Sequence, residues 1–218
     1  MNQKKQKIGV IAGTPVDTQM GVDFVTGKGY EAVGVPTASG PEEQNLLQFL
    51  NPAALTEKVK NIILSFEQNF IFKTMIYCNS LSSAIDIDSI KKSCFQSQVV
   101  TPLDIYGSLA LRFNKIMLWA ANGQCLSGIE KIFYENNPSI EITGISMLPV
   151  IKAIEAGQHP EVIIERFNLI GLISTQWKAD CLVLGCTHLP YLKEKLQQKV
   201  GFPIIDPAEE MLRILECR

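Results

Sequence analysis

Short apolar segments rich in β-branched residues alternate with helical patterns along the whole chain. Eight of these segments are predicted as strands: Lys7–Ala12, Ala32–Val35, Thr74–Cys78, Val99–Thr101, Lys115–Ala120, Ile140–Ile145, Cys181–Gly185 and Pro203–Asp206. Strands that alternate with helices are typical of βα units built around parallel sheets. The pattern therefore predicts an α/β fold.

The clearest helical pattern lies between the second and third predicted strands. Apolar residues fall at the spacing of one helix face, at Leu55, Val59, Ile62, Ile63 and Phe66. Asn51 precedes them as a candidate N-cap, and Pro52 occupies the first helical position.

Two pairs of segments recur at the same distance along the chain. Lys7–Ala12 returns as Lys115–Ala120, and Met75–Ser80 returns as Val183–His188, both 108 positions later. A third pair, 99–102 and 204–207, is offset by 105. The repeat predicts two pseudo-symmetric Rossmann-like (flavodoxin-like) parallel-sheet domains with an active-site cleft between them. We expect one domain at 1–98 plus 206–218, carrying Cys78, and the second at 99–205, carrying Cys186.

Composition removes several classes of function. The 218 residues carry 20 Lys and Arg against 22 Asp and Glu, and 46% are hydrophobic. This balance is too neutral for a protein held on nucleic acid by phosphate charge and too apolar for a disordered chain. No apolar run approaches the roughly 18 residues of a membrane span, so we expect a cytoplasmic protein with no membrane or nucleic-acid partner and with its six cysteines as thiols.

Cys78 and Cys186 each follow a predicted strand and precede polar residues able to cap a helix. Ligands of open α/β sheets bind beyond the carboxyl ends of the strands. Two thiols related by the repeat would face one substrate, and inversion of a stereocentre needs a base on one face and an acid on the other. Four polar residues are expected to bind the carboxylate: Thr14, Asn79, Ser80 and Thr187.

Other candidates carry a structural alternative. His188 could tune the second thiol or pack in the core, and Asp17 could hold a substrate amino group, orient the first thiol or cap a helix. Thr18 is a further candidate for support beside Asp17. The chain has no G-x-G-x-x-G after the first strand, no P-loop and no C-x-x-C pair, so neither a cofactor nor a metal is required.

Two motifs resemble those of glutamate racemases. Residues 182–192, LVLGCTHLPYL, resemble the second cysteine motif of that family, and residues 77–80, YCNS, resemble the first. The resemblance implies the aspartate/glutamate racemase superfamily, with two α/β domains and cofactor-independent racemization. It implies that Cys78 takes the α-proton of the D-enantiomer and Cys186 that of the L-enantiomer, that His188 assists Cys186, and that Glu155 supports His188. It also makes a homodimer plausible.

The sequence departs from glutamate racemases in the segments expected to read the substrate. The loop Gly13–Gly21 replaces their Asp-Ser-Gly and is nearer in layout to aspartate racemases, and Pro36 stands where Gly-Asp-Thr-Ala has its acid. The leading hypothesis is a pyridoxal-independent racemase of an acidic amino acid, glutamate ahead of aspartate. The alternatives are a related isomerase, hydantoin racemase or decarboxylase that uses one cysteine, and a non-catalytic amino-acid-binding protein.

Overall fold

A computed structural model describes residues 6–173 and 178–217 of the chain. These residues form two compact units. The first unit holds the chain up to Asp104 together with the segment from Ala208 onward, and the second runs from Ile105 to Pro207.

The first unit is built on a four-stranded parallel sheet with the order β2-β1-β3-β4. Its elements in chain order are β1 (Lys7–Ala12), α1 (Pro15–Gly27), β2 (Glu31–Pro36), α2 (Pro41–Leu50), α3 (Pro52–Gln68), β3 (Lys73–Ile76), α4 (Asn79–Ala84), α5 (Ile87–Ser93) and β4 (Gln98–Val100). The α6 helix (Leu103–Ala110) leads into the second unit.

The second unit repeats this plan with the strand order β6-β5-β7-β8, again all parallel. Its remaining elements are β5 (Lys115–Ala120), α7 (Gly123–Asn136), β6 (Glu141–Ser146), α8 (Leu148–Glu155), α9 (Pro160–Arg166), α10 (Leu169–Ile173), β7 (Cys181–Gly185), a 3-10 helix (Leu189–Leu192), α11 (Lys193–Gln197) and β8 (Ile204–Ile205). The chain then returns to the first unit as α12 (Pro207–Glu216).

The internal repeat extends to matched ion pairs at the starts of equivalent strands. Lys7 pairs in register with Glu31, and its Nζ lies 3.5 Å from the carboxylate. Lys115 pairs in the same way with Glu141, at 3.1 Å. The prediction of an α/β fold with two parallel sheets is confirmed.

The boundary between the units differs from the expected one. We expected the second domain to begin at residue 99, but β4 pairs with β3 and so completes the first sheet. Three ladder positions join these strands, from Lys73–Gln98 to Met75–Val100, and they hold this segment in the first unit. The chain therefore crosses after Asp104 and returns at Ala208 rather than at 206.

Local signals explain the helix that was predicted most clearly. Asn51 caps α3, because its side-chain oxygen accepts from Ala54 N–H at 3.2 Å, and Pro52 starts the helix. Leu55, Val59, Ile63 and Phe66 are buried on the predicted face. None of the helices in the described part of the chain is both long and apolar enough to span a membrane.

Candidate active site

Cys78 lies just beyond the carboxyl end of β3 and is the N-cap residue of α4. The residue is 4% exposed, and it is followed by the buried Asn79 and Ser80. Its backbone carbonyl accepts from Ser82 N–H and from the Ser82 hydroxyl, at 3.0 and 2.7 Å. The β3–α4 turn thereby fixes the backbone from which the thiol projects.

Two glutamines of α2 contact this thiol or its neighbour. Gln44 Nε2 lies 3.4 Å from Cys78 Sγ and 3.3 Å from Ser80 Oγ, and Gln48 Nε2 lies 3.2 Å from the same Ser80 oxygen. Ser80 Oγ lies 3.5 Å from Cys78 Sγ. Sequence reasoning named Cys78 and Ser80 but missed both glutamines, which lie more than thirty residues upstream.

The segment after β1 is a short turn into a helix rather than the long loop expected from Gly13 to Gly21. The α1 helix begins at Pro15, and Thr14 is its N-cap, accepting from Asp17 N–H at 3.1 Å. Asp17 is fully buried, and its carboxylate accepts from the N–H of Gly13, the residue before the cap, at 3.3 Å.

Thr18 is placed as a packing residue of this turn. Its hydroxyl donates to Thr14 O at 2.7 Å. A Cβ at Gly34 of β2 would lie 2.7 Å from its methyl carbon. The hydroxyl therefore stabilises the first turn of α1, and the methyl faces β2.

Cys186 follows β7, and its side chain begins a chain of polar contacts that continues through a histidine to a glutamate. Its Sγ lies 3.6 Å from His188 Nδ1, and His188 Nε2 lies 3.0 Å from Glu155 Oε1, at the end of α8. The His188 and Glu155 side chains are only 6% and 13% exposed. The sequence placed these three residues together only through the resemblance, because Glu155 lies 33 positions from His188.

An ionised Glu155 favours one tautomer of His188. A carboxylate oxygen only accepts, so Nε2 carries the hydrogen that it donates to Glu155. In the neutral imidazole, Nδ1 then accepts from the Cys186 thiol, and transfer of that proton gives a thiolate beside an imidazolium. The arrangement can thus both release and take back a proton at Cys186.

The expectation that the polar residues after the two cysteines cap helices is wrong. Asn79, Ser80 and Thr187 were expected to cap helices, but α4 begins with Cys78 at its N-cap position and has no side-chain cap. His188 precedes the 3-10 helix, again without a side-chain cap. Asn79 and Thr187, both buried, lie directly after the two cysteines.

The remaining cysteines have different surroundings. Cys125 and Cys181 are buried, and burial raises the pKa of each thiol to about 12, so both are protonated at neutral pH. Burial also raises the pKa of Cys94, while Cys217 is exposed. Within the described ranges, His, Cys, Asp and Glu form no group of three or more that could hold a metal ion.

The site geometry agrees with a match to a family model. Residues 134–215, which include Glu155, Cys186 and His188, match the model of the Asp/Glu/Hydantoin racemases. The glutamate racemase of Latilactobacillus sakei is 34% identical over 83 residues, which are 37% of this chain and 30% of that protein. The glutamate racemase of Fusobacterium nucleatum is 24% identical over 97% of this chain and 80% of its own length. The chain is thus similar to members of the aspartate/glutamate racemase superfamily.

Solved structures of this superfamily share the fold of the chain. Glutamate racemase from Francisella tularensis, in complex with D-glutamate, superposes with a TM-score of 0.73 at 17% identity, covering 98% of this chain and 80% of that one. The aspartate racemase of Picrophilus torridus superposes with a TM-score of 0.71 at 20% identity, covering 96% and 92%. The chain thus has the superfamily's two-domain α/β architecture.

Proposed function

We propose that the protein is a cofactor-independent amino-acid racemase that interconverts the enantiomers of an acidic amino acid. The observation that carries the proposal is that each half of the repeat holds a cysteine at the equivalent place. Cys78 lies beyond β3 and Cys186 beyond β7, and these strands are third in the order of their sheets. Each thiol has its own polar partners, Gln44 and Ser80 for Cys78, and His188 for Cys186.

In the proposed reaction, one unit supplies the base and the other supplies the acid. The Cys78 thiolate takes the α-proton of the D-enantiomer, and the electron pair of the Cα–H bond moves into the substrate carboxylate. The Cys186 thiol then gives its proton to the opposite face of the same carbon, which yields the L-enantiomer. The reverse reaction exchanges the two roles, with His188 and Glu155 supporting Cys186 as the base.

Polar hydrogens near each thiol are proposed to stabilise the developing charge. Asn79 and Thr187 follow the two cysteines, and Thr14 is the N-cap of α1. With Ser80, these residues would hold the substrate carboxylates, and donors placed where charge develops contribute more than donors to the ground state. Asp17 is proposed to bind the amino group or to orient Cys78.

Glutamate is the proposed substrate, with aspartate next. Glutamate is favoured because the relatives found by sequence are named glutamate racemases. Aspartate comes next because one solved structure with the same fold is named an aspartate racemase. The matched segment spans under a third of the Latilactobacillus sakei protein.

The proposal is tested by racemization assays on protein freed of metal and pyridoxal phosphate. We expect L-glutamate, or failing that L-aspartate, to lose optical rotation until the racemic mixture is reached. Cys78→Ser and Cys186→Ser should each abolish racemization, while Cys217→Ser, an exposed cysteine, serves as the matched control. Survival of racemization in either active-site variant would favour a one-cysteine enzyme, and binding without turnover would favour a sensor.

A cytoplasmic location and a homodimer are further proposals. Light scattering coupled to gel filtration tests the second: a mass of twice 24.2 kDa supports the dimer, and a mass of 24.2 kDa rejects it.

A further inference from the structure

The α2 helix buries a glutamine and exposes large apolar residues. Gln48 is 2% exposed, whereas Leu46, Phe49 and Leu50 are 59%, 55% and 76% exposed. Gln48 Oε1 is buried without a hydrogen-bond partner in the described structure. Burial of an unsatisfied amide oxygen costs stability, so packing alone does not explain a glutamine at this position.

The hydrogen bonds around Ser80 fix the direction of its own proton. A hydroxyl has one hydrogen and two lone pairs. Ser80 Oγ accepts from Gln44 Nε2 and from Gln48 Nε2, which occupies both lone pairs. In the substrate-free protein its hydrogen is therefore left to donate to Cys78 Sγ, 3.5 Å away.

The sulfur of Cys78 consequently accepts two hydrogen bonds. One comes from the Ser80 hydroxyl and the other from Gln44 Nε2, whose second hydrogen serves Ser80. Hydrogen bonds donated to a sulfur favour its charged form over the thiol. The amide of Gln44 occupies the space that a side chain at position 13 would fill, because a Cβ at Gly13 would come within 1.9 Å of Nε2.

We infer that Gln44 is a positioning residue that holds Cys78 as a thiolate, and that buried Gln48 orders it through Ser80. The inference rests on the proposed function and assigns the resting state of one of its two thiols. Cys78 carries the negative charge and is ready to act as the base, while the sulfur of Cys186 lies against His188 Nδ1. The two halves of the repeat thus differ in the polar partner of their cysteine, because side-chain amides contact Cys78 and a histidine contacts Cys186.

The test measures the thiolate of Cys78 without any turnover. The ultraviolet absorbance of thiolates is titrated against pH in each protein and in the same protein carrying Cys78→Ser, and the difference reports Cys78. In Gln44→Met, which keeps the length but loses the N–H groups, we expect the midpoint to rise by about one pH unit, a tenfold change in the ratio of thiolate to thiol. Gln44→Glu, which places a carboxylate beside the sulfur, should raise it further.

Two other variants separate this role from a structural one. Gln48→Met removes the anchor of Ser80 and should raise the midpoint by a smaller amount, while thermal stability stays equal or increases because the unsatisfied oxygen is gone. Gln19→Met, the same change at a glutamine on α1 that bonds Asp23 at the surface, is the matched control and should leave the midpoint unchanged.

The result is independent of racemization. The inference is supported if the thiolate midpoint rises least in Gln48→Met, more in Gln44→Met and most in Gln44→Glu. This holds even in a protein that racemizes neither glutamate nor aspartate. An unchanged or lowered midpoint in both Gln44 variants, with native circular dichroism, overturns it even if the enzyme is a racemase.

Discussion

Replacement of Glu155 tests whether the second thiol depends on the charge behind His188. Glu155→Gln keeps the size of the side chain and an acceptor oxygen but removes the negative charge. Glu155→Ala removes the charge and the acceptor together. His188 is 5% exposed, so water does not readily replace the lost partner.

The size of the effect follows from the 3.0 Å contact between His188 Nε2 and Glu155 Oε1. A hydrogen bond to a charged group contributes about 1.5–3 kcal/mol. If that energy supports the imidazolium that forms when Cys186 acts as base, its complete loss in Glu155→Ala lowers kcat/KM about 10- to 150-fold, at 1.36 kcal/mol for each factor of ten. Glu155→Gln keeps part of the interaction and should lose about tenfold.

The assay is polarimetric measurement of kcat/KM from both enantiomers. Racemization has an equilibrium constant of one, so each variant must lose the same factor in both directions. Glu161→Gln is the matched control, since Glu161 is an exposed residue of α9 that pairs with Lys195 at 2.7 Å, and it should stay within about twofold of wild type. Wild-type kcat/KM in folded Glu155→Ala would refute the assigned role.

Three further predictions concern other parts of the molecule. Gly13→Ala should displace the Gln44 amide and raise the thiolate midpoint of Cys78, as is expected for Gln44→Met. An unchanged midpoint would show that the displaced amide still contacts the sulfur. Burial raises the pKa of Cys125 from about 9 in the unfolded chain to about 12 in the folded protein. Above pH 9 the unfolded chain therefore loses a proton that the folded chain keeps. Urea unfolding should show that the free energy of unfolding falls by up to about 1.4 kcal/mol per pH unit because of this thiol. That slope should be shallower in Cys125→Ala, and an equal slope would contradict the assignment. Gly9→Ala puts a Cβ 2.4 Å from the Phe66 ring and should cost about 1–3 kcal/mol, seen as a lower melting temperature, whereas an unchanged melting temperature would mean that the ring moves freely.

The strands were predictable because each one is a short apolar run set between helical patterns. Lys7–Ala12, Lys115–Ala120 and Cys181–Gly185 have the predicted bounds, and the other five strands differ by one or two residues at each end. The repeat at 108 positions also predicted the parallel sheets, because equal strands followed by equal motifs imply equal topology.

The α1 helix shows how a glycine can mislead a sequence analysis. Gly21 was read as the end of a loop, yet it lies inside α1 and is buried. A Cβ there would lie 2.7 Å from Val10 and 2.9 Å from Tyr77, so the glycine allows the helix to approach the sheet closely. Such a contact depends on residues distant in sequence, and no local pattern reveals it.

The glutamines of α2 could not be predicted for a related reason. Hydrophobic periodicity places Leu46, Phe49 and Leu50 on the inner face of a helix, but these residues are exposed and Gln48 is buried. Gln44 and Cys78 meet only after α2 and the β3–α4 turn pack together. The signal that could have raised the question was the glutamine pair at i and i+4, which places both amides on one helix face.

The two-base claim is tested most directly by the isotope content of both enantiomers after brief reaction in D₂O. Starting from D-glutamate, two separate thiols predict that the L-glutamate formed carries one deuterium at the α-carbon, delivered by Cys186, while the recovered D-glutamate stays largely protiated. Product that retains the original α-hydrogen, or equal deuterium in product and recovered substrate from the first turnovers, would show that a single base serves both faces and would contradict the account.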